Sequence, residues 1–470
     1  MTENSYALIV IGSGAAGLAA ASNFRTAAQA RGVPGRVAIL ETSARADRGG
    51  ATRWTTARFR IGADHKLDPF VIGKVDEASG GRADLAYFRA LQKEVPDTVR
   101  FLVDAGVELV EYDPPVATEI QHEAKPNGGG HAIVETLATA LEKDGDVDLL
   151  YSTEAVRLTT ATDGRVNGVV VRDAEGLLRT INGDAVVLAC GGFEGNAEML
   201  SRYLGNNACD LKLLAPGLAS NTGAGLRMAM EVGAGTAGQF DMVHAELVDR
   251  RTDRADAVIY GHPFGIVVNN QAERFYDEGQ ACFDQTFELI AFEVWKNQAQ
   301  SAFFIADQTI VDHPNVMVLF DTDLPPVEAD TLPELAAQLG LDPDALVATV
   351  DEYNAAVTSD PFDPMTMDGK RTEGLTIDKS NWAYKLERGP FFAFPMTAAI
   401  CFTYGGVRAD DRARVLSPYN IPIPGLYAAG ELVGAFYHQY PAGTSVLRSL
   451  TFGRIAGREA AEAIRSLENA

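Results

Sequence analysis

Cysteine is scarce in this chain and nowhere paired. Four residues in 470, at positions 190, 209, 282 and 401, show no C-x-x-C spacing, which argues against a structural zinc and against a disulfide framework. The seven histidines form no cluster with metal-ligand spacing, so no metal is expected. Basic residues are in deficit too: 40 Lys and Arg against 64 Asp and Glu give a formal net charge of −24, and no basic stretch offsets it. That argues against nucleic acid and anionic membrane surfaces as partners. No apolar run reaches the roughly 18 residues that a bilayer-spanning helix needs, so membrane insertion is not expected. The first apolar strand starts close to Met1, which leaves no room for a signal peptide and makes a cytoplasmic location the expectation. Repeats and low-complexity tracts are missing as well. The length is then filled by two or three ordinary domains, at roughly 100–200 residues each.

What is present is glycine, 45 residues of it, and one placement organises the rest. An apolar run over residues 6–11, without polar alternation, reads as a buried parallel strand. It runs into Gly12, Ser13, Gly14, Ala15, Ala16 and Gly17, a G-x-G-x-x-G turn. A helix-favouring alanine-rich stretch follows, then a second apolar strand over 36–40 that ends at Glu41. Strand, turn, helix, strand and acid in this order form a dinucleotide site. Gly12 permits the tight turn, Gly14 lets a pyrophosphate approach the backbone, Gly17 lets the helix pack on the strand, and Glu41 accepts from a ribose hydroxyl.

Further along, Thr42, Gly49, Gly50, Ala51 and Thr52 belong to a small-residue loop suited to passing close to a ligand. Apolar spacing predicts a helix over 85–105, and Gly128, Gly129 and Gly130 open another at 131–141, again bringing backbone towards the cofactor. From Ala155 and Val156 the period changes to two, and turns at 163–164 and 174–176 divide a three-stranded antiparallel meander ending at 181. A further buried strand over 185–189 ends in Cys190, Gly191 and Gly192. A nicotinamide enzyme would add a regular second βαβ half here. A meander, then a strand ending in glycines, is instead the layout of FAD-binding flavoproteins.

Asn221 to Gly225 reads as a glycine turn opening a helix. From 241 to 388 the chain is more polar and rich in aromatics; Thr331 and Glu334 have capping-box spacing, and Asp342 with Pro343 starts another helix. This block is expected to be an inserted α+β cap domain. Residues 1–240 and 389–470 then form an α/β FAD-binding domain of Rossmann-like type, a parallel sheet plus the meander. Gly430 and Glu431 end its last strand, and a long helix beginning at Ser445, with Val446 and Leu447 in its first turn, points free N–H groups at the flavin.

Residues 12–17, Glu41, 49–52, 189–192, 269–278 (NNQAERFYDE), 428–431 (AAGE) and 452–457 (FGRIAG) together resemble the fumarate reductase and succinate dehydrogenase flavoprotein superfamily, across essentially the whole chain. The resemblance implies FAD, held by Gly12, Gly14, Ala15, Ala16, Gly17, Glu41 and Thr42, by Gly49 to Thr52, by Ala155, Val156, Cys190, Gly191, Asn221 and Gly225, and by Gly430, Glu431, Ser445, Val446 and Leu447. It also implies chemistry that adds or removes two hydrogens across a carbon–carbon bond beside a carbonyl. Three positions depart from the fumarate reductases. Cys282 stands at the arginine proton donor, Phe402 at a substrate histidine and Tyr440 at a substrate arginine. The segment 274–279 and Phe402, Thr403 and Tyr404 resemble tricarballylate dehydrogenases, while the turn of Tyr440, Pro441, Ala442 and Gly443 is similar to that of 3-ketosteroid dehydrogenases.

The expected activity is therefore an FAD-dependent dehydrogenase that makes a double bond beside a carbonyl of a small carboxylate or a cyclic ketone. The α-proton goes to a base and the β-hydride to flavin N5. Tyr440 or Tyr404 serves as base or as carbonyl donor, His438 assists Tyr440, and His244 lies where superfamily members place a substrate histidine. Loss of the anion-binding arginine and histidine favours a ketone; the nearest resemblance favours a tricarboxylate. A reductase of the fumarate or urocanate kind is the alternative in the other direction, and an electron-transfer flavin subunit the alternative of another class. The electron acceptor stays open between O2, a quinone and an electron-transfer protein.

Overall fold

The first strand lacks alternation for a topological reason. In the computed structural model, which describes residues 5–33 and 35–468, Ser5–Ile11 lies inside an eight-stranded sheet, parallel to Val37–Leu40 on one side and to Leu178–Leu188 on the other. Covered on both faces, it is apolar on both. The sheet extends through Val147–Leu150 at one edge, and through Pro422–Ala428 and Arg414–Leu416 at the other. The chain fills one side of Ser5–Ile11 first and the other later, so strand order reverses at its carboxyl end. Open parallel sheets hold their ligands at that place.

The alanine-rich helix Ala15–Arg31 follows this strand, and the C-terminal helix Ser445–Glu468 packs against it. Gly453 and Gly457, one turn apart, permit the approach. A β-carbon at Gly453 would lie 2.2 Å from the Ala16 carbonyl oxygen, and one at Gly457 2.1 Å from that of Ala20. Residues 452–457 thus act as a helix-packing motif, and the run from Ala15 to Ala21 is small apart from Leu18 because both of its sides are covered.

Glu154–Thr160 and Val166–Arg172 form the expected antiparallel meander with Leu178–Leu188. Its third strand and the buried strand expected after it prove to be one continuous element. Asn182, Gly183 and Asp184 have the composition of a turn, yet Asn182 pairs with both Gly168 and Ser5, and Gly183 pairs with Tyr6. Gly183 is there for packing: a β-carbon would stand 2.8 Å from Ile9 Cγ1.

A second, antiparallel sheet holds Val243–Asp249, Phe391–Thr403, Ala302–Ala306 and Ile266–Val268 in that order. Its helices include Leu332–Leu339, whose N-cap Thr331 accepts from the Glu334 N–H, and Pro343–Ala356, capped by Asp342. The 13-residue strand Phe391–Thr403 is the spine of this layer, which therefore runs past the boundary expected at 388. Its apolar run gives no sign of which sheet it joins. The spine also links the layers, because it carries Phe402 and Thr403 to the mouth of the first sheet, where the Thr403 N–H donates to Glu431 Oε1 at 2.9 Å.

Candidate active site

The carboxyl ends of the central strands open into a cavity of about 450 Å³ that reaches from Glu41 to Tyr440. Gly12 and Gly17 serve the protein's own packing: their β-carbons would lie 2.3 Å from the Ala189 carbonyl oxygen and 2.0 Å from that of Gly12. Gly14 is different. Its backbone is extended and a β-carbon would meet nothing closer than Thr52 Oγ1 at 3.4 Å, so its missing side chain keeps the cavity clear. Glu41 Oε2 accepts from the Ser13 N–H at 3.2 Å and from the Ser13 hydroxyl, and Oε1 from the Ser43 N–H at 2.8 Å. One lone pair of Oε1 is left for a ligand hydroxyl. Thr52 Oγ1 accepts from the Ala15 N–H at 3.1 Å, which ties the loop Gly50–Trp54 to the helix start.

Ala15, Ala16, Thr42, Gly49, Gly50, Ala51, Ala155, Cys190, Gly191, Asn221, Gly430, Glu431, Ser445 and Val446 line the same cavity. Four residues expected there do not. Gly17 lies beneath the turn, Val156 points outwards and is exposed, Gly225 packs on the Cys190 sulfur, and Leu447 is fully buried in the last helix. Thr153 and Glu154 line it instead of Val156. Nor do Gly128, Gly129 and Gly130 approach it. The Gly130 N–H donates to the Thr55 carbonyl at 2.8 Å, and its β-carbon would lie 1.8 Å from that of Thr52, so these glycines brace the loop from behind.

The other end of the cavity lies between the two sheets. The Tyr440 hydroxyl oxygen accepts from the Thr444 and Ser445 N–H groups, each at 2.7 Å. Of the helix N–H groups expected to be free, that of Ser445 is thus taken by Tyr440, whose own hydrogen is left to donate. His244 is held at both nitrogens, with Nδ1 2.7 Å from Glu288 Oε1 and Nε2 3.0 Å from Glu246 Oε1. Burial alone would lower its pKa, but the hydrogen bonds and charges of the two glutamates outweigh that and hold it at about 9. His244 is then an imidazolium at neutral pH, with no lone pair for a metal, although Cys401 Sγ converges with it and Glu246 within 4.8 Å.

Glu288 has further partners: the Tyr404 hydroxyl on Oε1, and the Tyr440 N–H on Oε2 at 3.0 Å. Tyr404 is buried behind the wall of the cavity and does not line it. His438 is exposed on the outer surface, its N–H on Gln239 Oε1 at 2.7 Å. Neither stands where a reacting atom could reach it. The turn after Phe436 puts His438 at a positive φ of 59°, and it does not line the cavity. Glu123, Glu246, Asp256 and Asp284 line this end, with Arg58 and His244 as its cations. Burial first and Glu246 second raise Asp256 to about 7.

The glycine cradle, the switch-point cavity and the second sheet over it match a known family. The model of the FAD binding domain matches residues 7–446. The chain belongs to this family. This flavoprotein is 28% identical to the vinyl phenol reductase of Lactiplantibacillus plantarum, over 98% of its own length and 97% of that protein. It is 31% identical to the 4-oxocyclohexanecarboxylate 2-dehydrogenase of Sinomonas cyclohexanicum, over 82% and 71% respectively. The open conformation of a flavocytochrome c3 fumarate reductase superposes with a TM-score of 0.76 at 24% identity, over 98% of this chain and 79% of that one. The protein is thus a member of the fumarate reductase and succinate dehydrogenase superfamily, an FAD-dependent oxidoreductase acting on CH–CH groups. Among the described residues no helix is long and apolar enough to cross a membrane.

FAD fits what the flavoprotein leaves open. Arg448 Nε and Trp54 Nε1 are buried N–H groups without a partner among the described residues, and both side chains line the cavity. Gly14 and Glu41 would hold the pyrophosphate and ribose. Glu431, Arg448 and the start of the C-terminal helix would hold the flavin half, where a cation suits a ring that gains negative charge on reduction. Gly14→Val is expected to weaken FAD binding at least about tenfold, roughly 1.4 kcal/mol, while leaving the melting temperature of the cofactor-free protein unchanged. Gly17→Ala should lower that temperature, because overpacking costs about 1–3 kcal/mol. A fluorescence titration with FAD and a thermal melt separate the two.

Glu246, Glu288, Tyr260 and Arg58 carry no motif. Two signals point to the glutamates. Glu246 sits two residues along the strand from His244, and Glu288 is an acid set among Phe287, Ile290, Ala291 and Phe292 on a helix.

Proposed function

We propose that the flavoprotein is a dehydrogenase that introduces a carbon–carbon double bond beside the carbonyl of a cyclic ketone, rather than of a di- or tricarboxylate. Tyr440 carries this reading. Its hydroxyl, held by two backbone N–H groups, presents a hydrogen to the chamber at the position where fumarate reductases are expected to carry a substrate arginine. A carbonyl oxygen accepting that hydrogen is stabilised further as enolate character develops. FAD, when bound, supplies the acceptor for the β-hydride.

The charges around the chamber support a ketone. Four carboxyl groups face it, and two of the cations lining the cavity are already engaged: Arg58 lies 3.7 Å from Glu123 and 4.1 Å over the Tyr112 ring, and His244 is shared between two glutamates, while the third, Arg448, is assigned to the flavin. A polyanion would enter against this set. The 4-oxocyclohexanecarboxylate dehydrogenase among the relatives supports the same direction and substrate type. The electron acceptor would be O2, a quinone or an electron-transfer protein.

Anaerobic mixing with 4-oxocyclohexanecarboxylate, a 3-ketosteroid and tricarballylate tests the reading. A ketone is expected to bleach the yellow flavin absorbance and tricarballylate to leave it unchanged. Bleaching by tricarballylate alone would overturn the substrate class. Absence of bleaching by all three, with reoxidation of the dithionite-reduced protein by fumarate or a vinyl phenol, would reverse the direction.

A further inference from the structure

We propose that Tyr260 removes the α-proton of the substrate and passes its own hydroxyl proton to Glu246, a step that rests on the ketone reading. Tyr260 lines the cavity, and its hydroxyl donates to Glu246 Oε2 at 2.9 Å. Its hydrogen is therefore committed, and the phenol oxygen presents only lone pairs to a substrate. Tyr440 has the opposite polarity, because both of its lone pairs are committed to backbone N–H groups and only its hydrogen is free. One phenol accepts and the other donates. Abstraction of a proton beside a carbonyl needs that pairing.

The two are held on either side of His244. The Tyr440 ring lies 4.8 Å from the imidazole, and Glu246 joins the imidazole to the Tyr260 hydroxyl. The Tyr260 N–H donates to the Leu319 carbonyl at 2.9 Å, and the rings of Phe283 and Phe287 lie 5.6 and 5.7 Å from its ring, so the phenol is fixed in place. Asp256, which also lines this end, is the competing acceptor that the test below addresses; the other groups there are less suited to accept a proton. His244 already carries one. The Cys401 thiol is pushed well above its usual range, by burial first and Glu246 second. Asp284 accepts the Glu119 and Ile120 N–H groups, and Glu123 faces Arg58. Burial and Glu246 likewise push Tyr260 well above 10, so it acts as a relay and not as a standing phenolate.

The step balances without an added reagent. The α-carbon–hydrogen bond breaks and its proton forms a bond to Tyr260 Oη, while the old Tyr260 O–H bond breaks and its proton joins Glu246 Oε2. The electron pair stays on the substrate as an enolate, whose oxygen accepts the Tyr440 hydrogen. Tyr260 ends as the phenol it began as, Glu246 ends protonated, and His244 keeps Glu288 as its counter-charge.

The test separates proton transfer from oxidation. The FAD-loaded protein is kept fully reduced under anaerobic conditions in D2O, and NMR follows exchange of the α-hydrogens of 4-oxocyclohexanecarboxylate and of a 3-ketosteroid. The unaltered protein is expected to catalyse exchange, and Tyr260→Phe to lose at least about 100-fold of it while keeping the flavin spectrum. Glu246→Gln, which removes the relay but not the phenol, should slow exchange at least about tenfold while keeping the flavin spectrum, and Glu246→Asp, which keeps a carboxylate, should restore most of it. Undiminished exchange in Tyr260→Phe would overturn the proposal, as would its loss in Asp256→Asn alone. If a ketone bleaches the flavin and the unaltered protein still exchanges no α-hydrogen, the proton relay fails and the ketone reading stands. If no ketone bleaches it, both fall.

Discussion

Tyr440→Phe is expected to lower the rate of flavin reduction by substrate by about 10²–10³, the usual loss when one donor to a developing oxyanion is removed. The ring contacts survive the change: His244 at 4.8 Å and Phe402 and Phe436 at 5.1 Å pack against carbons that phenylalanine keeps. The Tyr440 N–H also keeps Glu288 Oε2. What disappears is one hydroxyl, and with it the acceptor for the Thr444 and Ser445 N–H groups. Because the bond to the carbonyl strengthens as enolate character develops, kcat and kcat/KM should fall together, with little change in KM. Stopped-flow reduction at matched FAD content measures this. A rate within about a factor of three of the unaltered protein would mean that Tyr440 packs on the flavin and orients it, and that the carbonyl takes its donor elsewhere.

Legibility in the sequence divides along a physical line. Gly12, Gly17 and Glu41 could be read because local geometry demands them: Gly12 turns the chain at a φ of 103°, a β-carbon at Gly17 would lie 2.0 Å from the Gly12 carbonyl oxygen, and the acid ends the next strand. The caps at Thr331 and Asp342 are equally local. Where a glycine answers to a distant partner the local reading misleads. Gly183 makes room for Ile9 inside a strand, and Gly130 braces Thr52, although both look like turn or ligand glycines. The substrate end is the extreme case. Tyr260, Glu246 and Glu288 meet only because Val243–Asp249 pairs with Phe391–Thr403, with a register shift between His244 and Ala245, and the helix Phe283–Asn297 packs on that strand. That arrangement reaches from 243 to 403, and no short-range pattern carries it. Tyr404 and His438 were legible as residue types suited to acid–base work, but strand and turn direction put one behind the wall and the other outside.

Glu288→Gln should abolish most of the pH dependence of stability that His244 confers. In the folded flavoprotein His244 titrates at about 9, above the 6.5 of an ordinary histidine, since two buried carboxylates more than offset the burial that would lower it. A group bound more tightly to its proton in the folded state stabilises that state fully below the unfolded pKa, and the contribution is lost as pH rises through the folded value. The window is therefore about pH 6.5 to 9. A shift of that size is worth about 3 kcal/mol across it, at roughly 1.4 kcal/mol for each unit. Glutamine keeps the shape of Glu288 and one carbonyl acceptor, but it removes one of the two charges that hold the imidazolium and turns an amide N–H₂ towards a neighbourhood of donors. His244 then titrates nearer its ordinary value. The unaltered protein should exceed the variant most at pH 6, by about 3 kcal/mol or more for a broken buried pair. That margin should shrink towards pH 9.5, where His244 is mostly neutral in both. Urea denaturation of the two FAD-loaded proteins across this range measures the difference directly. Parallel stability curves would show that His244 is not held as a cation by Glu288, and the chamber would then lose the buried positive charge that balances Glu246 and Glu288 around the two tyrosines.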